Sequence, residues 1–465
     1  MYIKPLALVT MTMASGSQLN IIEVHFVIES TQGAIWDVPF PAVTICDLNM
    51  ISRSGALSFA NNLTLPQNMT AEYILQTLRL APLLHSPISS DDQTKKHLSN
   101  LQDVLDLNEI TVETLFRNLS PTLSCNNLVQ RCMWKNTIYR CEQLFQQIFT
   151  VNTLCCTFNY YAIDFSLMSK NFELLQTSSP RRVASCGYQT ALTVLLHSNP
   201  EDYYSTVSAS RGILVYIDDA YNIPDFDSPV RIVNPFSEVL IALSPERTYS
   251  TPGVKSFSPD QRQCYYNDEV KIGSFNQYSF HNCLALKKVE LTRKLCDCVP
   301  FYFPVKDKVE ENTDEFQCLP ECEHFDYPLE VALGKLSSNT PLSGLPFFEN
   351  VDLKNRSVVN VFFNDLVSTR YRRDVYLNWQ NILAAFGGLL SLMLGFTLIS
   401  GFDFIIFFTF QVTLELLRRD RTKNAGKNSK DIKAYVIKVG EKHWKNQKMY
   451  TEEGIEKWRS TNVRY

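Results

Sequence analysis

An α+β, disulfide-rich extracellular domain followed by a transmembrane α-helix is the fold class this sequence predicts, and three observations predict it. The first is an apolar run, "AAFGGLLSLMLGFTLISGFDFIIFFTF", over residues 384 to 410. At about 1.5 Å rise per residue it is long enough to cross a bilayer core. The second is that all 13 cysteines precede it, as expected when one side of a membrane is oxidising. The third is charge. Residues 411 to 465 hold 14 Lys and Arg against 7 Asp and Glu, leaving 30 against 41 in everything before them. A body of net −11 is thus joined to a tail of net +7 that opens with "LLRRDRTKNAGKNSK". Basic clusters just past a span mark its cytoplasmic side, which puts residues 1 to 380 outside. Four glycosylation sequons, at Asn62, Asn68, Asn118 and Asn355, all lie on that outer side.

In chain order, "MYIKPLALVTMTMASGS" supplies roughly ten weakly apolar residues, too few for a first membrane span and a poor signal peptide. Residues 1 to 34 therefore read as an atypical N-terminus with no first membrane helix evident, and the natural N-terminus is expected to lie upstream. From 35 to 380 the sequence reads as the cysteine-rich extracellular domain. "AIWDVPFPAVTIC", ending at Cys46, predicts extended chain, because its two prolines forbid helix and its Val-Thr-Ile run is β-branched. From Ala71 to Leu119 apolar residues recur every three or four positions, as in "AEYILQTLRLAPLL" and "LSNLQDVLDL", which predicts helices. "GILVYIDD" and "SEVLIAL" predict strands, with Pro, Asn and Asp turns between them. Residues 299 to 343 are polar and punctuated by proline, the composition of exposed loop. "NRSVVNVFFNDLVSTRYRRDVYLNWQNILA" predicts a strand-like run and a membrane approach whose Tyr371, Tyr376 and Trp379 suit an interfacial belt. The transmembrane helix is placed at 381–410 and a basic cytoplasmic tail at 411–465.

The chemistry-bearing motifs exclude more than they propose. There is no phosphate-cradling glycine loop, no paired-histidine metalloprotease motif and no nucleophile elbow, and the 7 histidines are scattered. Enzyme activity has no visible carrier, and no cofactor is expected. Cys318, Cys322 and His324 in "CLPECEH" could form half a zinc site, but no second half stands at ligand spacing, so no metal is expected and disulfides are the better reading. Nucleic acid is not a plausible partner across a secretory membrane, whereas the lipid bilayer is.

Within the apolar run, Gly387 and Gly388 are most simply positions of close helix packing. At Gly395-Phe396-Thr397 a second reading competes, since a helix interrupted there can turn backbone carbonyls toward an aqueous axis. Asp403 is the anomaly: a carboxylate at mid-membrane costs about 2.5–3.5 kcal/mol. No Lys or Arg lies between 384 and 410 to neutralise it. In a symmetric oligomer it would recur as a ring of carboxylates that attracts cations.

Several ordered motifs, "FPAVTIC" followed by "DLN", "LCCTFN", "CDCVPFYFP", "CLPEC" and "FGGLLSLMLGFTLIS", resemble the epithelial sodium channel/degenerin superfamily, and most closely its insect pickpocket branch. The resemblance runs from about Trp36 to Thr409. It implies one subunit of a homo- or heterotrimeric, sodium-selective, amiloride-sensitive cation channel in the plasma membrane, with a chemo- or mechanosensory role. Na+ would be the permeant ion. The family's filter falls on Gly395, Phe396 and Thr397, with Thr where Ser is usual, and its pore acid falls on Asp403. The small residue at the outer pore mouth falls on Ala384, and Ser391 takes a pore-lining position near the blocker site. Carried over by position, Cys46 pairs with Cys155, Cys132 with Cys141, Cys264 with Cys322 and Cys283 with Cys318. A further family cysteine is Lys287 here, and the thumb looks shortened, which leaves Cys296 and Cys298 without their usual partners. The partners of Cys125, Cys156 and Cys186 stay open. The family's first membrane helix and its His-Gly gating motif are not found in residues 1 to 30. The rival reading is a single-pass, disulfide-rich receptor or a non-conducting regulatory subunit, which a cleavable upstream signal peptide would favour.

Overall fold

The computed structural model describes residues 24–84, 91–122, 124–163, 177–206, 208–303, 317–337, 346–375, 379–395 and 398–414. The chain divides into two compact units, Met1–Leu377 and Asn378–Tyr465.

The first unit is built on two large sheets. In one, five strands run in the order Val230–Val233, Ile213–Asp218, Ala42–Asp47, Thr153–Phe158, Phe145–Thr150. In the other, six run in the order Leu329–Lys335, Ser237–Leu243, Arg356–Phe363, Leu192–His197, Val129–Trp134, Thr137–Tyr139. One apolar cluster draws on both sheets, Val43, Phe158 and Val215 from the first and Trp134, Val239 and Phe363 from the second. Phe40 joins them: its ring centroid lies 5.1 Å from Trp134 and 5.5 Å from Phe363, both edge-on. The central strands Ala42–Asp47 and Thr153–Phe158 are buried at every position, as strands covered on both faces must be. Ser237–Leu243 instead alternates buried and half-buried residues, the period of a strand with one face in the core.

The helices expected between Ala71 and Leu119 are Ala71–Leu78, Asp92–Leu107 and Val112–Leu119. With Arg53–Asn62 they bury their own core of Ile74, Leu78, Leu101, Leu105, Leu115 and Phe116. Their starts follow from side-chain caps: Ser52 accepts from the Gly55 amide, Thr70 from Tyr73 and Thr111 from Thr114. A further helix, Phe280–Cys296, begins at Ser279. Its Asn282 is fully buried; the amide donates to the Tyr221 carbonyl at 2.8 Å and its oxygen accepts from the Ile223 N–H at 3.1 Å. Lys288 on the same helix pairs with Asp225 and Asp227 at 2.7 and 2.9 Å. Helix and loop are thus joined by a buried polar contact and a partly exposed ionic one.

Four of the sequence expectations are corrected. Residues 24–34, assigned to an atypical N-terminus ahead of a domain starting at 35, are part of that domain's sheet: the strand Val24–Ala34 pairs antiparallel with Val367–Val375, Val24 opposite Val375, in a four-stranded sheet completed by Glu246–Ser250 and His324–Asp326. The segment 299–343 is not all loop, since it supplies the strands His324–Asp326 and Leu329–Lys335. Both are edge strands with little burial, so their residues carry no apolar alternation to read. The extended stretch before Cys46 contains a short 3-10 turn at Ile35–Asp37. Tyr371 belongs to the sheet strand Val367–Val375 rather than to a membrane approach; Tyr376 lies outside the described residues, and Trp379 opens a helix.

Six cystines brace this unit. Cys46–Cys155, Cys132–Cys141, Cys264–Cys322 and Cys283–Cys318 are bonded, the same four pairs the resemblance implies. Cys125 bonds Cys156, Cys296 bonds Cys298, and Cys186 remains a half-buried thiol. With Cys318 and Cys322 oxidised, neither can supply a thiolate to zinc. His324 places Nε2 3.1 Å from Asp326 Oδ2 instead.

Candidate functional site

The second unit contains the apolar run. A single helix over 381–410 is not what its sequence forms. The helix Trp379–Leu394 ends at Gly395, and a second helix, Leu398–Ile406, follows and passes into a π turn at Phe407–Gln411. The physical reason is Gly395, whose φ of +59° is the left-handed conformation that ends helices and that glycine adopts without a Cβ penalty. Among the described residues no helix is both long enough and apolar enough to cross a membrane.

The two helices share a composition that demands partners. On Trp379–Leu394 the side chains of Leu383, Phe386, Leu389, Leu392 and Met393 are exposed, Leu392 by 81%. They fan over about half the helix circumference, wider than a single core-facing stripe of about 100°. On Leu398–Ile406, Ile399, Phe402, Phe404, Ile405 and Ile406 are exposed as well. Exposed apolar helix surface of this extent calls for a cover of lipid or protein. A Cβ at Gly387 or Gly388 would meet nothing within 4 Å, which leaves that face open to close approach. Thr409 satisfies its hydroxyl on the Ile405 carbonyl at 2.6 Å, and Thr413 does so on Thr409, as hydroxyls in apolar surroundings must.

Ala384 and Ser391 lie exposed on the first helix and Asp403 lies exposed on the second. Gly395 stands at the break, while Phe396 and Thr397 lie outside the described residues. The left-handed Gly395 ends the first helix at the first of the three expected filter positions, and Asp403 lies on the helix beyond it.

In the first unit, Asn62, Asn68 and Asn118 are exposed and Asn355 is half-buried at the entry to the strand Arg356–Phe363, so three of the four sequons stand open to solvent. No motif of the sequence points to a polar cavity of 450 Å³ beside the helix Arg53–Asn62, lined by Asp47, Asn49, Ser52, His197 and Asp202. Asp47 is only 7% exposed. Burial pushes its carboxyl up to about 7, against the amide of Asn49 (2.8 Å) and the hydroxyl of Tyr203 (3.2 Å) on Oδ1, with Asp202 nearby adding to the rise. Asp219 is likewise pushed up to about 7 by burial, although its Oδ1 accepts from the Tyr221 amide at 2.9 Å.

A family model described as amiloride-sensitive sodium channel matches residues 6–407, nearly all of the first unit and the second unit as far as Phe407, the break at Gly395 included. The chain belongs to that family. Among its relatives, a sodium channel protein Nach of Drosophila ananassae is 25% identical over 403 residues, 82% of this chain and 75% of the relative. Pickpocket protein 11 of Drosophila melanogaster is 25% identical over 63% of this chain and 56% of its own length. The human bile acid-sensitive ion channel is 24% identical over 79% of this chain and 71% of its own. An insect pickpocket-like subunit of a cation channel is the description these likenesses fit, and the family is one of channels rather than enzymes.

Proposed function

We propose that this chain is one subunit of a trimeric, sodium-selective, amiloride-sensitive channel of the plasma membrane, with its cystine-braced unit outside, its basic C-terminus in the cytoplasm, and a sensory role. The observation that carries the reading is the break at Gly395, φ +59°, between two apolar helices whose large side chains stand exposed among the described residues. An interrupted helix is the form in which backbone carbonyls can face an aqueous axis within a membrane. Gly395, Phe396 and Thr397 form the filter. Three copies of Asp403 form a carboxylate ring that concentrates cations, and hydration of that ring offsets the cost of placing it in the membrane. Ala384 and Ser391 line the outer pore, and N-glycans occupy Asn62, Asn68, Asn118 and Asn355.

The test is current through the full-length subunit co-expressed with related subunits, alongside surface biotinylation. Asp403→Asn is expected to reduce sodium current severalfold, Asp403→Lys to abolish it, and Gly395→Arg to abolish it, all at unchanged surface level. Currents untouched by Asp403→Lys and Gly395→Arg at normal surface level would refute the pore assignment and return the chain to the class of non-conducting subunits.

A further inference from the structure

Five of the six cystines are structural by position: nine of their ten cysteines are buried and Cys318 is half-buried. Their sulfurs join residues between 9 and 109 positions apart. The sixth differs in every respect. Cys296 and Cys298 are both exposed, and their bond spans a separation of 2, closing over Asp297 alone. A bridge across one residue removes little freedom from the unfolded chain, so folding holds it closed far less than it holds the others. Exposure lets an attacking thiolate reach it, and exposed cystines are the labile ones.

Two further features prepare the opened form. The Thr292 carbonyl oxygen lies 3.1 Å from Cys296 Sγ, so the thiol released there has an acceptor in place. Cys298 lines an open cavity of 640 Å³ with Phe226, Lys288, Pro300 and Phe301, room enough for a small donor to approach from that side.

We propose that Cys296–Cys298 is a reversible modification site, opened by a thiol or dithiol donor while the other five cystines stay closed. A donor thiolate attacks one of the two sulfurs, displacing the other as a thiolate and forming a mixed disulfide. The donor's second thiolate then breaks that mixed bond and leaves as the oxidised donor. Two electrons pass to the cystine, and two protons from solvent complete the thiols of Cys296 and Cys298. The bridge ties the last turn of the helix Phe280–Cys296 to the chain that continues into Phe301. That ring stacks on Phe116 of the helical core at 5.4 Å and meets Phe149 edge-on at 5.6 Å. Opening the bridge frees the helix end from the segment packed on that core. The hydrogen bond that the Asp297 backbone N–H donates to the Arg293 carbonyl, 2.8 Å, survives as a cap independent of the cystine.

The experiment is graded reduction of the purified full chain with dithiothreitol, followed by alkylation and peptide mapping. Cys296 and Cys298 are expected to reach half-labelling at a dithiothreitol concentration at least tenfold below that of any other pair. Opening together with or after Cys264–Cys322, or an unreduced protein in which Cys296 and Cys298 are bonded elsewhere, overturns the proposal. A second readout is trypsin cleavage after Lys294. It should accelerate severalfold on selective reduction, and the Cys296→Ser/Cys298→Ser variant should be cut at that faster rate without reductant and gain nothing from it. Equal cleavage in all states overturns the role of the bridge as a tie.

Discussion

Replacing Asp47 by Asn should stabilise the protein at neutral pH and do nothing in acid. The carboxyl is 7% exposed and is pushed up to about 7 by burial. In the unfolded chain it returns to the ordinary range near 3.9. Between those values the folded state binds a proton that the unfolded state has lost, so stability falls as pH rises through that window and stays low above it. Each pH unit of the window is worth about 1.4 kcal/mol, which sets a ceiling of about 4 kcal/mol on the penalty. The asparagine keeps an oxygen for the two donors that reach Oδ1, the Asn49 amide and the Tyr203 hydroxyl, and carries no charge to bury. If half the ceiling is recovered, a domain of this size gains about 4 °C in Tm, at about 2 °C per kcal/mol. The assay is thermal unfolding of wild type and Asp47→Asn side by side from pH 5 to 8. Asp219 titrates over the same range in both proteins and cancels in the difference. A difference already about a third of its full size at pH 5, growing up to pH 7 and levelling off towards pH 8, is expected. A variant equally or less stable than wild type at pH 8 refutes the buried-carboxylate account.

Asn282→Ala removes both partners of two backbone groups, the Tyr221 carbonyl and the Ile223 amide, and should destabilise by about 2–4 kcal/mol in denaturant unfolding. Serine at both Cys46 and Cys155 opens a loop with a separation of 109, against 9 for Cys132 and Cys141. On loop entropy the first pair is worth about 2 kcal/mol more, readable as a lower Tm for that double variant than for the second. Partial deglycosylation of protein from a eukaryotic host should give a gel ladder of four steps, each lost in turn on Asn→Gln at Asn62, Asn68, Asn118 or Asn355.

How much of this was legible depended on whether burial left a pattern. Ser237–Leu243 was readable because one face is buried and the other is not. The strands Thr153–Phe158 and Leu192–His197 are buried at nearly every position, so they show no alternation and their residues read as undifferentiated apolar chain. The helix Phe280–Cys296 escaped notice for the opposite reason: Leu291 and Leu295 are exposed while Asn282 is buried, which blurs its apolar stripe. The apolar run over 384 to 410 announced itself by residue type alone, an acid and a helix-breaking glycine among apolar residues. The polar cavity around Asp47 could not be read, since its lining converges from segments separated by up to 155 positions.

The pairing of Val24–Ala34 with Val367–Val375 has a mechanical consequence. Because Val24 stands opposite Val375, the first and last described residues of the first unit sit side by side at one edge of one sheet. A force that draws those ends apart meets the ladder one hydrogen bond at a time and peels it like a zipper, at low load. A force that pulls both the same way leaves their mutual register intact and loads the other partner of Val367–Val375, the strand Glu246–Ser250, in shear along the whole parallel ladder. The sheet is therefore compliant to separation of those two ends and stiff to their joint displacement.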